Sequence, residues 1–191
     1  MPGRLFVISG PSGAGKGTVV QELVRRRPDV FLSVSATTRP ARAAERNAVH
    51  YHFVSPTEFM TTRDSGGFLE WAEVYGNLYG TPRQPVEAAL AAGRDVICEL
   101  DIQGATAIKR AKPHAVLVFI EPPSLDELFM RLRRRGTEDP ETLSTRLRAA
   151  YEEVKKKGVY DHIVVNDNLD LAVGALLRIL EDGQQTKGSP P

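Results

Sequence analysis

The chain has 191 residues, with Lys+Arg 25 against Asp+Glu 24 and a formal net charge of +1. That length suits one domain large enough to bury an ordinary core, and the charge balance excludes a global field that would draw it to nucleic acid or an anionic membrane. A single cysteine, Cys98, excludes an internal disulfide, no Cys/His cluster has metal-ligand spacing, and no apolar run approaches the roughly 20 residues that span a bilayer.

Residues 4–9 (RLFVIS) read as a short buried strand that runs directly into a glycine-rich loop, where a signal peptide would need its cleavage site. A cytoplasmic chain without leader or lipid anchor is therefore expected. Over residues 16–27, Val19, Val20, Leu23 and Val24 recur at helical spacing until Pro28 ends the pattern. From Ser33 to Gly80 the texture changes: VHYHFVS and FLEWAEVY alternate as half-exposed strands, between stretches rich in Thr, Arg, Gly and Asn. An inserted lobe over residues 35–92 is expected, with the core in 1–34 and 93–191 of a single domain. Apolar runs at 95–100, 115–120 and 162–165 each precede a helical pattern, which predicts an α/β fold with a parallel sheet and crossover helices. A polar interruption between helical patterns at 124–134 and 140–157 predicts a lid over about 133–145, and the apolar-poor residues 183–191 predict a disordered tail.

The loop meets the pattern G-x-x-x-x-G-K through Gly10, Gly15 and Lys16, after a predicted strand and opening a predicted helix. Backbone N–H groups of Gly10, Ser12, Gly13, Ala14, Gly15, Lys16, Gly17 and Thr18 can converge on a polyphosphate, with the helix dipole adding favourable charge and Lys16 neutralising the outer phosphates. Gly17 stands where the strict pattern places a hydroxyl, so Thr18 is the nearest side-chain oxygen for Mg²⁺ or a phosphate. A nucleoside triphosphate is the implied ligand; the loop alone fits a kinase, a GTPase, a motor or a repair ATPase equally.

The acceptor must be read elsewhere. In SATTRPARAAERNAVHYHF, Arg39 and Arg42 stand three apart beside Pro40, followed by Glu45 and Tyr51. Guanidinium groups fork onto phosphate oxygens and a phenol adds a donor, so Arg39, Arg42, Tyr51 and Tyr79 can cradle a monophosphate. The plain alternative is that loop arginines are solvated and strand tyrosines half-buried.

GPSGAGKGTV, SATTRPAR, FLEWAEVYGNLYGTPR, ELDIQGA, FIEPPSLDEL, RLRRRGTEDPETLSTRL and VVND, in that order from about Leu5 to Glu181, resemble the guanylate kinase family. The resemblance implies a P-loop NTPase core, a small α+β lobe for GMP, a short lid, and ATP- and Mg²⁺-dependent phosphorylation of GMP, with dGMP as a further acceptor. It implies guanine recognition at Ser35, Glu70, Thr81 and Asp101. Carboxylates accept and do not donate, so Glu70 and Asp101 suit the N1–H and 2-amino protons that guanine has and adenine lacks. Outside this block Glu70 would read as a solvent-facing strand residue. The family's phosphate contacts fall on Arg39, Arg42, Tyr51 and Tyr79, with Glu45 orienting the arginines and Gln103 near the meeting of the two phosphate sites. The lid arginines correspond to Arg131, Arg135 and Arg146, and Asn166 corresponds to an adenine contact or, equally, a turn cap.

AAERNAVH departs from the family's usual pattern, which carries glycines around the Glu and an Asp before the Tyr, so the geometry of this loop is the weakest point of the resemblance. Two other readings stand beside GMP kinase. One is a kinase of phosphorylated sugars such as ribose 1,5-bisphosphate; the other is a non-catalytic module that binds phosphopeptides, against which Lys16 is intact. The sequence leaves monomer and homo-oligomer open.

Overall fold

The apolar run at the start of the chain forms strand β1 (Leu5–Ser9), buried along its whole length. A computed structural model describes residues 2–74, 76–134 and 140–185, excluding the side chains of 134, 140–143, 146 and 183–185. β1 is the middle strand of a five-stranded sheet whose other members are β2 (Phe31–Leu32), β7 (Val96–Glu99), β8 (Val116–Glu121) and β9 (His162–Val165), in the order β2-β7-β1-β8-β9. β2 pairs parallel with β7, and β8 parallel with β9. β1, β7, β8 and β9 are apolar and each is followed by a helix, the pattern of a parallel sheet with helical crossovers. The expected α/β class holds.

The chain divides into two compact units, Met1–Val7 with Asp29–Leu117 and Ile8–Pro28 with Val118–Pro191. In the first, a second sheet of β3 (Ala36–Thr37), β4 (His52–Phe53), β5 (Phe68–Val74) and β6 (Asn77–Pro82) runs in the order β4-β3-β6-β5. The β5–β6 hairpin pairs Glu70 with Thr81, the register on which the site below depends. Helix α2 (Pro56–Asp64) packs Phe59 against Phe68 at 4.5 Å between ring centroids, closing a small core with Ala36. Ser55 and Glu58 cap α2 reciprocally and Pro56 opens it, so a polar stretch with little apolar periodicity is still helical. Helices α3 (Arg83–Ala91) and α4 (Ile102–Ala111) complete this unit.

In the second unit, α1 (Lys16–Arg26) buries Val19, Val20 and Leu23, and α7 (Leu169–Gln185) buries Ala172, Val173, Leu176 and Leu180. Arg26 pairs with Asp170, tying the end of α1 to the start of α7. Helix α5 (Leu125–Arg134) packs Leu128 and Leu132 against Ala150 of α6 (Pro140–Lys155). Among the described residues no helix is long and apolar enough to cross a membrane.

Three sequence expectations change in detail. Of VHYHFVS only His52–Phe53 is strand, because residues 46–51 close into a turn. Helix α7 runs through Gln185, taking in residues 183–185 of the expected tail, and 186–191 lie outside the described residues. Of the lid expected over 133–145, residues 135–139 also fall outside them, while 133–134 belong to α5, which ends at Arg134, and 140–145 to α6, which starts at Pro140.

Candidate active site

The expected site residues gather into two groups, one in each unit. In the second unit the loop from Gly10 leads to α1, whose N-cap is Gly15 in a left-handed conformation at φ 85°. No side chain caps α1 and its first turn carries no acid, whereas α4 is capped by Asp101 and α2 by Ser55. A helix start without a side-chain cap, with Lys16 as its first residue, presents backbone N–H groups and positive charge to an anion. Two glycines are sterically required: a β-carbon on Gly10 would lie 2.1 Å from the Ile120 carbonyl oxygen, and one on Gly15 would lie 2.5 Å from Asn166 Nδ2. Lys16 Nζ donates to the Gly10 carbonyl at 2.5 Å and to the Pro11 carbonyl at 3.2 Å, which carries the ammonium back across the loop. Ala14 and Gly13 are buried, Ser12 and Gly17 half-buried, and Thr18 is exposed on the first turn of α1.

Asn166 is buried, and its Nδ2 donates to the Ala14 carbonyl at 2.7 Å. Its carbonyl accepts from Arg131 at 3.0 Å, while Arg131 Nε pairs with Glu127 at 2.9 Å. Asn166 thus braces the phosphate loop and links it to α5, a role that the sequence does not disclose because the partners are distant in the chain. Arg135 lies outside the described residues, and Arg146 is on α6 with its side chain outside them.

In the first unit the arginine loop is organised by Glu45. Its carboxylate takes Arg39 in a fork at 3.0 and 2.8 Å and accepts the Arg42 backbone N–H at 2.8 Å. Arg39 holds the Glu45 carboxyl below its ordinary range. Arg39 Nε also donates to the Tyr79 hydroxyl at 3.2 Å, and its guanidinium lies 5.5 Å from the Tyr51 ring centroid. Tyr51 meets Tyr79 edge to face, and burial pushes its phenol up to about 12, so it remains a donor at neutral pH. Arg39, Glu45, Tyr51 and Tyr79 therefore form one cluster. The Arg42 side chain is exposed, and the hydrogen bond that Glu45 makes to this residue is to its backbone N–H.

The altered stretch AAERNAVH folds into a closed turn. Ala48 N–H donates to the Tyr51 carbonyl at 2.8 Å, His50 Nδ1 accepts from the Arg46 N–H at 3.0 Å, and Asn47 Oδ1 accepts from the Phe53 N–H at 3.0 Å. Of its three alanines only Ala48 has positive φ, at 60°. An alanine there carries the steric cost that a glycine avoids. Ala48→Gly is expected to raise stability by about 0.5 kcal/mol, the relief of strain being partly offset by the freer unfolded chain. Thermal unfolding checks it, and a lowered midpoint would contradict it.

Glu70, Thr81 and Asp101 come together where β5 and β6 meet the start of α4. Thr81 Oγ1 donates to Glu70 Oε1 at 2.6 Å, and both residues are buried. Burial, reinforced by the negative charge of Asp101 and opposed by the Thr81 bond, pushes the Glu70 carboxyl up to about 7. Asp101 Oδ1 accepts the Gly104 N–H at 2.8 Å as the cap of α4. Ser35 is half-buried at the entry to β3, its carbonyl accepting the His52 N–H at 2.9 Å, and Gln103 is exposed in the first turn of α4. Cys98 is buried, and that burial pushes its thiol up to about 12, so it is an inert core residue.

A buried carboxylate raised toward neutrality is costly unless its surroundings or a ligand repay it, which makes Glu70 a candidate binding group. Among the described residues no group of three or more His, Cys, Asp or Glu side chains is placed to hold a metal ion.

Comparison with known proteins identifies the family. The family profile described as guanylate kinase matches residues 2–183. A guanylate kinase of Carboxydothermus hydrogenoformans is 49% identical over 178 residues, covering 93% of this chain and 87% of that protein. One from Desulfitobacterium hafniense is 51% identical over 178 residues, covering 93% and 89%. The crystal structure of guanylate kinase from Anaplasma phagocytophilum superposes with a TM-score of 0.82 at 33% identity, covering 96% of this chain and 87% of that one. With its phosphate loop, its buried carboxylate beside Thr81 and a family match along nearly its whole length, this chain belongs to the guanylate kinase family.

Proposed function

We propose that this protein transfers the γ-phosphoryl group of ATP to GMP, yielding ADP and GDP. The observation that carries the reading is Glu70, a buried carboxylate fixed by Thr81 and raised toward neutrality, in the same unit as the Arg39–Glu45–Tyr79 cluster. Its acceptor oxygens suit the N1–H and 2-amino protons of guanine, and adenine would leave them unpaired at about 1–3 kcal/mol for each buried group. Asp101 adds a second acceptor and Ser35 completes the base site. Arg39, Arg42, Tyr51 and Tyr79 hold the monophosphate, whose dianion favours two guanidinium groups and two phenolic donors.

The bond formed joins a GMP phosphate oxygen to the γ-phosphorus, and the bond broken is that between the γ-phosphorus and the β,γ-bridging oxygen, which leaves with ADP. Such a transfer asks for alignment and positive charge more than for a base. The backbone N–H groups from Gly10 to Thr18 hold the ATP phosphates, Lys16 stabilises the charge spread over the transferred group, and Arg131, Arg135 and Arg146 supply further charge from the lid. Asn166, whose side chain bonds the Ala14 carbonyl of the loop, is assigned to the adenine on the family resemblance. Mg²⁺ would be held chiefly by the substrate phosphates, with the Thr18 hydroxyl as the protein oxygen offered to it. When bound, the ion neutralises phosphate charge. The base edge and phosphate that these side chains address are the same in dGMP, which is proposed as a second acceptor. We place the reaction in the cytoplasm, where a lone unpaired thiol such as Cys98 is stable.

ATP labelled in its γ-phosphate tests the transfer. Label appearing in GDP supports it, and label released only as inorganic phosphate would overturn it. The Glu70 carboxyl titrates near 7, and only its ionised form accepts both guanine protons. Affinity for guanosine, which lacks a titrating phosphate, is therefore expected to rise about tenfold from pH 6 to pH 8. A flat profile by calorimetry would contradict Glu70 as the acceptor.

A further inference from the structure

Gly104, the third residue of α4, touches both carboxylates assigned to the base. Its N–H donates to Asp101 Oδ1 at 2.8 Å. On its other side, a β-carbon at this position would lie 2.8 Å from Glu70 Oε2, 3.2 Å from Glu70 Cδ and 3.3 Å from Leu100 Cβ. Gly104 is buried, and its backbone does not have the positive φ that excludes other residues. Alanine is the better helix former, so helix geometry gives no reason for glycine at this place. The nearest obstacle to a larger residue is the Glu70 carboxylate.

We propose that Gly104 is a specificity-determining position for the acceptor base: its N–H fixes Asp101, and its missing β-carbon admits the Glu70 carboxylate against the start of α4. This rests on reading Glu70 and Asp101 as guanine acceptors. The Gly104→Ala change keeps the N–H and so keeps Asp101 in place. Its severest conflict is with Glu70, whose carboxylate lies at the end of a flexible side chain and shifts, whereas Leu100 Cβ at 3.3 Å needs to give by only a few tenths of an ångström. A shifted carboxylate loses its alignment with N1–H and the 2-amino group. The loss falls on guanine recognition and not on phosphate transfer.

The test is steady-state kinetics with GMP and with IMP, which lacks the 2-amino group, for Gly104→Ala, Glu70→Asp, the double variant and Glu70→Gln. Gly104→Ala is expected to raise KM for GMP about tenfold, with KM for ATP within twofold and the preference for GMP over IMP reduced. In the Glu70→Asp background, where the carboxylate is one methylene shorter, the same glycine change is expected to cost less than threefold. Equal costs in the two backgrounds would mean a merely structural glycine and overturn the proposal. So would an unchanged KM and unchanged preference in Gly104→Ala. If Gly104→Ala alone does not fold, the double variant decides: a tenfold loss of GMP affinity relative to Glu70→Asp overturns the proposal, and retention supports it. Glu70→Gln separates the two levels: if it leaves GMP affinity intact, the reading of the base site falls and this inference with it. If it weakens GMP while Gly104→Ala does not, only the role of Gly104 falls.

Discussion

Glu70→Gln is expected to lower kcat/KM for GMP by about 100-fold while raising the stability of the protein at pH 8. The first effect follows from donor and acceptor matching. A glutamine amide presents an NH₂ donor to a base edge that is itself two donors, so one bond is lost and a like pair is forced together, at about 3 kcal/mol. The second effect follows from linkage. Burial lifts the folded-state carboxyl from 4.5 to about 7. Over that interval the native chain keeps a proton that the unfolded chain has released. The stability associated with this group is therefore full below 4.5 and is lost as pH rises to about 7, for a cost at pH 8 of up to about 3 kcal/mol. Glutamine does not titrate and still accepts the Thr81 hydroxyl, so it escapes that cost. Denaturant unfolding at pH 5 and pH 8 checks the sign: the variant gains on the parent as pH rises. A variant that is inactive and less stable at both pH values would make Glu70 a structural residue.

Lys16→Met is expected to reduce kcat by about 10³-fold and to leave guanosine affinity within twofold. Lys16 bonds the Gly10 and Pro11 carbonyls, which hold its ammonium across the loop proposed to bind the ATP phosphates. Methionine keeps the length of the stem but removes the charge from the transferred group, and one such electrostatic donor is worth about 10²–10³ in rate. The proposed guanine contacts lie on other residues, so base binding is expected not to change. Rapid-quench kinetics with guanosine calorimetry separates the two quantities. A kcat within tenfold of the parent would remove Lys16 from the chemistry.

Where chemistry and local pattern coincide, this sequence is readable. The glycine loop, the start of α1 at Lys16 and strand β9 at His162–Val165 lie where periodicity and punctuation place them. The two-residue strands β2, β3 and β4 are too short to show a period, and tertiary pairing alone defines them. Helix α2 has a weak apolar pattern, yet Ser55, Pro56 and Glu58 spell its capped start, a signal that a search for periodicity passes over. Site residues divide in the same way. Glu45 lies six residues from Arg39, and their fork follows from a short loop rich in opposite charges. Asn166 against Ala14 and Glu70 against Gly104 are contacts of remote segments, set by sheet order and hairpin register, which no local window contains. The AAERNAVH stretch shows the reverse case. Its missing glycines look disruptive in sequence, but only Ala48 occupies the left-handed region, and His50 and Asn47 supply acceptors that close the turn.

The most direct test of GMP phosphorylation is ADP production from ATP and Mg²⁺ with GMP, AMP, UMP and ribose 1,5-bisphosphate offered separately as acceptors. Turnover with GMP and not with AMP, UMP or the sugar is the expected result if Glu70 and Asp101 act as the proposed guanine acceptors. Turnover with ribose 1,5-bisphosphate, or with none of the four, would contradict it and would mean that the phosphate loop and the buried carboxylate serve another substrate or no transfer at all.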